Sequence, residues 1–315
     1  MARIFRWLIR LTSGLIVLGV AGLALGVWLM ARSLPDYDLT LELNGISAPL
    51  EIVRDTASVP HIFGENDADV YFGLGFAHAQ DRLWQMTMMR RTVQGRMAEV
   101  FGPRMFDSDA LMRRLDLYAL SQDSVHALAP ETRAALDAYA DGVNAWLNEV
   151  NAGARGRGAP EFFLFSNQVA PWMPADSVAL LKLMALQMTS HLEFEVLRAR
   201  LSLVLPQDRL IDILPDVPGP GHAALPSYAA LFPDAPGGTE LAAISPAPDP
   251  LSPFRPAPFG GASNAWAAAP NRSASGATLL ANDPHLAFSA PGLWYLARLE
   301  LESGGVIGAT IPGIP

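Results

Sequence analysis

The sequence predicts an α+β protein in which the helices come first and the strands last. Three observations predict it. Long segments between residues 66 and 203 repeat apolar side chains at helical spacing. Residues 263–315 instead carry short apolar runs bounded by Ser-Gly and Gly-Gly turns, as strands do. Between these regions, residues 215–261 hold 12 of the chain's 26 prolines and show no sustained periodicity. That composition buries too little apolar surface to form a core and reads as a spacer.

The first element is residues 1–32. Arg3, Arg6 and Arg10 precede an uncharged run from Leu11 to Ala31. As a helix, the run spans about 31 Å, close to the ~30 Å hydrocarbon core of a bilayer. Three arginines before it, against Arg32, Asp36 and Asp38 after it, put the N-terminus in the cytoplasm and the remainder outside. The run exceeds the roughly 7–15 residues of a signal-peptide core, and Leu29 is too large for a good cleavage site after Ala31. An uncleaved signal anchor is favoured over a cleaved signal peptide, and a buried core helix ranks third.

The other elements follow in chain order. Residues 39–53 alternate in places (Leu39, Leu41, Leu43, then Leu50 and Ile52) and are expected as strands. Asn66 or Asp67 caps a helix that continues through Tyr71, Leu74, Ala77, Leu83, Met86 and Met89 to Phe101, where Gly102-Pro103 stops it. A second helix fits 109–128. A third opens with Pro130-Glu131, because the N–H that proline lacks has no partner in a first turn, and it ends near Asn151. Gly153 to Gly158 is a basic loop. A fourth helix starts at Pro174-Ala175-Asp176-Ser177 and runs to about Leu203. Beyond the spacer, strands are expected at 264–269, 278–281, 294–301 and 306–311, with turns at Ser275-Gly276 and Ser303-Gly304-Gly305. The division is then 1–32, anchor or signal; 33–213, mostly helical; 214–262, spacer; and 263–315, the start of a β-rich unit expected to be buried. No internal repeat is visible.

Composition narrows the function. The chain has 315 residues, half of them hydrophobic, with a net charge of −9. No basic stripe lies beyond the extreme N-terminus, which argues against a nucleic-acid partner. With no cysteine, disulfides, thiolate metal sites and a Cys nucleophile are excluded. Ser263 stands where the spacer meets the β-rich unit, behind the small Ala262. A cut at that junction gives one residue a hydroxyl nucleophile and a free α-amine as its base. A serine hydroxyl is weak until a base takes its proton, and an α-amine with a pKa of about 7.7–8.0 is partly neutral near pH 7. Taken alone, Ser263 reads first as an ordinary loop serine before a strand.

Two blocks of sequence go further. The first is Val59-Pro60-His61-Ile62-Phe63, followed by Asp69 through Met86 with the string Ala77-His78-Ala79-Gln80-Asp81-Arg82-Leu83-Trp84, continuing through Arg90-Arg91 and Gln94-Gly95-Arg96 to Phe101-Gly102. The second is Ser263-Asn264-Ala265-Trp266, then Leu280-Ala281-Asn282-Asp283-Pro284-His285-Leu286 and Trp294-Tyr295. In this order, separated by a spacer, they resemble the penicillin acylase (penicillin amidase) family of N-terminal-nucleophile hydrolases over roughly residues 40–315.

The resemblance implies an αββα sandwich, incomplete here, formed from a precursor; the N-terminal helix puts that precursor in the periplasm, anchored to the inner membrane or exported. That precursor cuts itself between Ala262 and Ser263 into an α-chain and a β-chain. It implies Ser263 as the nucleophile of an amidohydrolase acting on a small N-acylated substrate, of the β-lactam side-chain or acyl-homoserine-lactone type. His285 either orients the Ser263 amine or fixes the Asn-Asp-Pro-His turn. Asn264 supports the first strand, and Trp266 is expected in the core. Glu195, on the helix before the spacer, matches a ligand of a structural Ca²⁺, for which carboxylate oxygen is suited; a solvated or salt-bridged Glu195 is the alternative. Ala185 to Leu192 is expected to line the acyl pocket, without the Arg-Phe pair of phenylacetyl-specific relatives. Relatives usually carry glycine where this chain has Ser58, a poor residue for a positive-φ turn. The oxyanion-hole groups of relatives come later than residue 315, so the chain is expected to be an N-terminal fragment of low activity by itself. Two rival readings are a non-catalytic envelope protein that uses the scaffold for binding, and a Ser-His-Asp hydrolase. The latter is disfavoured because no Gly-x-Ser-x-Gly elbow is present.

Overall fold

The computed structural model describes residues 2–153, 158–165, 169–188, 197–199, 201–202, 205–214, 263–285 and 289–315. They form two compact units of mixed helix and sheet. One comprises residues 1–182 and 286–315, the other 183–285.

In the first unit, α1 (Ala2–Ser33) is followed by β1 (Glu51–Arg54), β2 (Pro60–Phe63), α2 (Asp67–Val93), α3 (Ala98–Phe101), α4 (Phe106–Leu115), α5 (Leu117–Ala127) and α6 (Pro130–Asn151), and α7 (Pro174–Met188) begins there. The second unit holds the helix α8 (Gln207–Ile213) and the antiparallel pair β3 (Asn264–Ala268) and β4 (Leu279–Asp283). The chain then returns to the first unit as β5 (Tyr295–Leu301) and β6 (Gly304–Thr310). The four-stranded sheet of the first unit runs β1-β2-β5-β6. Strands β1 and β2 are antiparallel with Ile52 opposite Ile62, β2 and β5 are parallel with Ile62 beside Leu299, and β5 and β6 are antiparallel with Tyr295 opposite Thr310. The inner strand β5 is therefore bonded on one side to a strand that lies before the spacer, over two hundred residues earlier in the chain.

α2 and α6 form the core of this unit, with Phe72, Leu74, Tyr139 and Trp146 buried between them and the sheet. α2 starts where the sequence places it. The Asn66 side chain accepts the N–H of Asp69 as an N-cap. The Asp69 carboxylate turns back to accept the N–H and hydroxyl of Ser47, at 2.9 and 2.8 Å. Burial alone would raise the Asp69 pKa, but these bonds and those from Asn66 and Ala48 outweigh it and hold it below the ordinary value.

The first sequence block meets β5, β6 and the residues flanking them. His78 is fully buried, with Nδ1 2.7 Å from the Tyr139 hydroxyl and Nε2 2.9 Å from Thr310 Oγ1. The Thr310 hydroxyl donates to the Tyr295 carbonyl at 2.7 Å, and the Tyr139 oxygen accepts the Gly313 N–H at 2.8 Å. With the Thr310 proton committed, its oxygen accepts from His78 Nε2–H, and Nδ1 accepts the Tyr139 proton. The relay thus fixes one neutral tautomer. Burial above all, with the Arg82 charge second, pushes the His78 pKa down to about 3. Three residues on, Asp81 accepts from Arg54 at 2.8 Å, from Tyr37 at 2.9 Å and from Tyr295. Arg82 reaches the Gly292 carbonyl at 3.1 Å. The Ala77–Trp84 string is thus the face of α2 that receives the segment after the spacer.

Several expectations need correction. Residues 39–49 are not strands. Leu39, Leu41, Leu43 and Leu50 face Phe72 and Phe76 across one cavity, so their alternation reflects packing on α2 rather than sheet pairing. The first helix stops at Val93 instead of Phe101. Gly95 (φ 61°) turns the chain there, and its N–H bonds to the Thr92 carbonyl; the separate α3 then ends at Gly102 as expected. The helix expected over 109–128 is two helices, broken at Asp116, which adopts a left-handed φ of 50°. Trp266 is not in the core: it is 57% exposed on β3, and both β3 and β4 are exposed nearly throughout.

Ser58 behaves as its sequence position foretells. It adopts φ 62° in the β1–β2 turn, where its N–H bonds to the Asp55 carbonyl. A left-handed non-glycine residue costs about 1–2 kcal/mol, and glycine gives back part of that as unfolded-state entropy. Ser58→Gly is expected to stabilise the protein by about 0.5–1 kcal/mol, read as a raised urea midpoint at unchanged slope.

Candidate active site

Ser263 immediately precedes β3, and His285 follows β4 by two residues. The register of the pair, with Asn264 opposite Asp283 and Trp266 opposite Ala281, brings the two ends together. The backbone N–H of His285 donates to Ser263 Oγ at 3.3 Å. The imidazole turns the other way: its Nε2 lies 2.7 Å from Asp283 Oδ2, within the Asn-Asp-Pro-His turn. Asn264 opens β3 as its first ladder residue, opposite Asp283.

This arrangement separates the chemical options. A Ser-His-Asp triad needs the imidazole on the serine hydroxyl; here the contact is the main-chain amide, and the ring is held by Asp283. An amide N–H at the serine oxygen favours the developing negative charge on that atom without taking its proton. Sequence reasoning passed over Asp283, although the spacing Asp-x-His in a proline turn is the signal that places a carboxylate beside the ring.

Ala262 and Glu195 lie outside the described residues, as does the stretch 189–192 of the expected acyl pocket; 185–188 form the last turn of α7. Among the described residues no three His, Asp or Glu side chains come together as a metal site.

Residues 49–315 match the penicillin amidase family. The chain is 36% identical over 298 residues to a penicillin acylase 2 proenzyme of Pseudomonas sp. (strain SE83), covering 91% of this chain and 36% of that protein. The chain belongs to the penicillin amidase family. It is also 30% identical over 314 residues to the acyl-homoserine lactone acylase QuiP of Pseudomonas fluorescens (strain Pf0-1), covering 94% of this chain and 37% of that protein. A solved thermostable penicillin G acylase from Alcaligenes faecalis aligns at 32% identity and a TM-score of 0.45, over 56% of this chain and 98% of that one. The chain spans just over a third of the length of these two curated relatives.

Proposed function

We propose that this chain carries the nucleophile of an amide-hydrolysing acylase whose Ser263 becomes reactive by self-cleavage after Ala262. Before the cut, Ser263 Oγ attacks the Ala262 carbonyl carbon. The peptide nitrogen leaves as the α-amine of Ser263, and the resulting ester is hydrolysed by water. Afterwards the neutral amine accepts the hydroxyl proton as Oγ attacks the amide carbonyl of an N-acylated substrate. The protonated amine returns that proton to the departing nitrogen, and water releases the acyl group. The single observation that carries the reading is the His285 N–H on Ser263 Oγ, set beside an imidazole engaged by Asp283. The serine oxygen is polarised while no side-chain base is assigned to it.

The sheet supports a two-chain product. The ladder β2–β5, the His78 relay and the Asp81–Tyr295 bond all join residues on opposite sides of the proposed cut, so cleavage leaves the halves held together. The strands belong, on this reading, to the start of an αββα sandwich. Relatives named for penicillin and for acyl-homoserine lactones support a small N-acylated amide as the substrate on this reading.

Mass spectrometry of the protein expressed from its native gene is the test. A fragment starting at Ser263 is expected, with Ser263→Ala uncut and without amidase activity and Ser263→Thr partly cut. Amide turnover by an uncut chain would overturn the mechanism. An uncut wild-type chain that binds acyl amides without turnover would favour a binding protein.

A further inference from the structure

The strongest feature unused by this chemistry is the end of α1 and the surface beside it. The 32-residue helix has a mean hydropathy of 2.3 over its most apolar window, and nothing in that window is buried. Trp7 and Trp28 stand near its two ends, 71% and 53% exposed. Their separation of 21 positions rises about 31 Å, which matches the spacing of the two aromatic belts of a bilayer. Arg32 lies over the Trp28 ring at 4.9 Å, in the manner of a basic side chain reaching for headgroups. These three positions set the outer membrane–water boundary at about Trp28 to Arg32.

The helix does not leave that boundary as a free tether. Leu29 is half-buried and Ser33, four residues on, is buried, so one face of the last turns rests on the 3₁₀ turn Pro160–Phe163. Ser33 to Pro35 and Gly158 to Glu161 wall a common cavity. Four residues past Ser33, the Tyr37 hydroxyl bonds to Asp81, and the Arg54 guanidinium stacks on its ring at 3.9 Å. The body is clamped at the point where α1 emerges. Leu164, which directly follows that turn, is 80% exposed, and Leu34, on the wall of the same cavity, is 71% exposed. The turn carrying Leu164 is rigid: Phe162 packs edge-on against Trp84 at 5.2 Å, and Phe165 stacks on it at 5.5 Å. A lone exposed leucine needs no explanation. Two of them on a fixed ridge beside the outer end of a membrane-length helix do.

We infer that α1 is retained, and that Leu34 and Leu164 seat the body in the headgroup layer of the bilayer α1 spans. The membrane contact is thus bipartite, a spanning helix and a fixed apolar ridge, with the body held against the surface. This goes beyond the acylase reading and does not depend on it.

Residues 1–315 hold no cysteine, so a single thiol introduced among them marks one position once any cysteine elsewhere in the gene product is replaced by serine. The protein expressed from its native gene, bearing Leu164→Cys or Leu34→Cys labelled with an environment-sensitive fluorophore, is reconstituted into vesicles of phosphatidylethanolamine and phosphatidylglycerol. Lipids with a nitroxide at the headgroup or upper acyl chain serve as quenchers. Ser303→Cys is the reference. Its neighbour Glu302 bonds to Asp67 at the start of α2, seventeen residues before Trp84, or about 25 Å of helix rise. Labels at 34 and 164 are expected to emit at shorter wavelength than the label at 303 and to lose most of their fluorescence to the nitroxide lipids. Emission and quenching equal to those at 303 would overturn the inference. So would a mature protein found by mass spectrometry to lack residues 1–31.

Discussion

Replacing His78 with alanine is expected to cost about 3–5 kcal/mol of folding free energy, the sum of a cavity and of buried partners left unbonded. The Tyr139 hydroxyl loses its acceptor, Thr310 loses its donor, and the edge-on rings of Tyr139 and Tyr295 lose the imidazole between them. For a unit of this size the loss lowers the melting temperature by roughly 6–20 °C. A second signature is specific to the imidazole. The His78 pKa falls from 6.5 unfolded to about 3 folded, chiefly through burial. Below pH 6.5 the unfolded chain binds a proton there and the folded chain does not. The contribution is therefore complete above pH 6.5 and is lost as pH falls towards 3, at up to about 1.4 kcal/mol per pH unit. Asp69 and Glu99, whose carboxyls are held low, act only below the ordinary carboxylate range. Asp176 is raised by burial and works in the opposite direction. Between pH 6.5 and about 4 the loss of stability on acidification thus comes from His78, while Asp176 and Asp141, both raised by burial, oppose it. His78→Gln keeps an acceptor towards Tyr139 and a donor towards Thr310. It is expected to recover part of the stability while flattening that slope. Urea unfolding at a series of pH values checks both; an unchanged slope in His78→Gln would show that the histidine is not the titrating group.

That relay also marks the limit of what the sequence discloses. Local signals were readable: the Asn66 cap, the stop at Gly102, the Pro130 start of α6 and the four strands after the spacer all occur where turn and capping chemistry put them. The strain at Ser58 was readable because only φ sign was at issue. Errors arose where a tertiary contact decided the outcome. The leucines of 39–43 alternate like a strand, yet their partner is a helix face. Asp116 breaks a continuous apolar pattern with a left-handed residue that periodicity does not register. Trp266 looks like a core residue by type and lies exposed. For the site, the positions of Ser263 and His285 were legible. The use of a backbone amide rather than a ring could not be, because side-chain identity says nothing about which atom of His285 faces the serine. The long-range pairing of His78 with Thr310 leaves no local trace either, since 232 residues separate the partners.

Gly142→Ala is expected to be as damaging as loss of the relay, for a steric reason. A methyl group at 142 would collide with the Phe72 carbonyl oxygen, and one at Gly75 with the Tyr139 carbonyl oxygen. The two glycines face one another's helices, so the α2–α6 crossing is closed at both points by backbone rather than by yielding side chains. Relief requires the helices to move apart. That opens the packing of Phe72 and Tyr139, and it shifts Tyr139 away from His78 and from the Gly313 N–H. Overpacking typically costs about 1–3 kcal/mol where side chains can adjust; against two carbonyls the upper end or more is expected, about 3 kcal/mol, or roughly 6–12 °C in melting temperature. Gly308→Ala, on the exposed face of β6 with nothing near its added methyl, provides the comparison and is expected to be neutral. Because Tyr139 links the crossing to the relay, Gly142→Ala and His78→Gln are expected to lose less together than the sum of their separate losses. Full additivity in a double-mutant cycle would show that the helix crossing and the relay are independent.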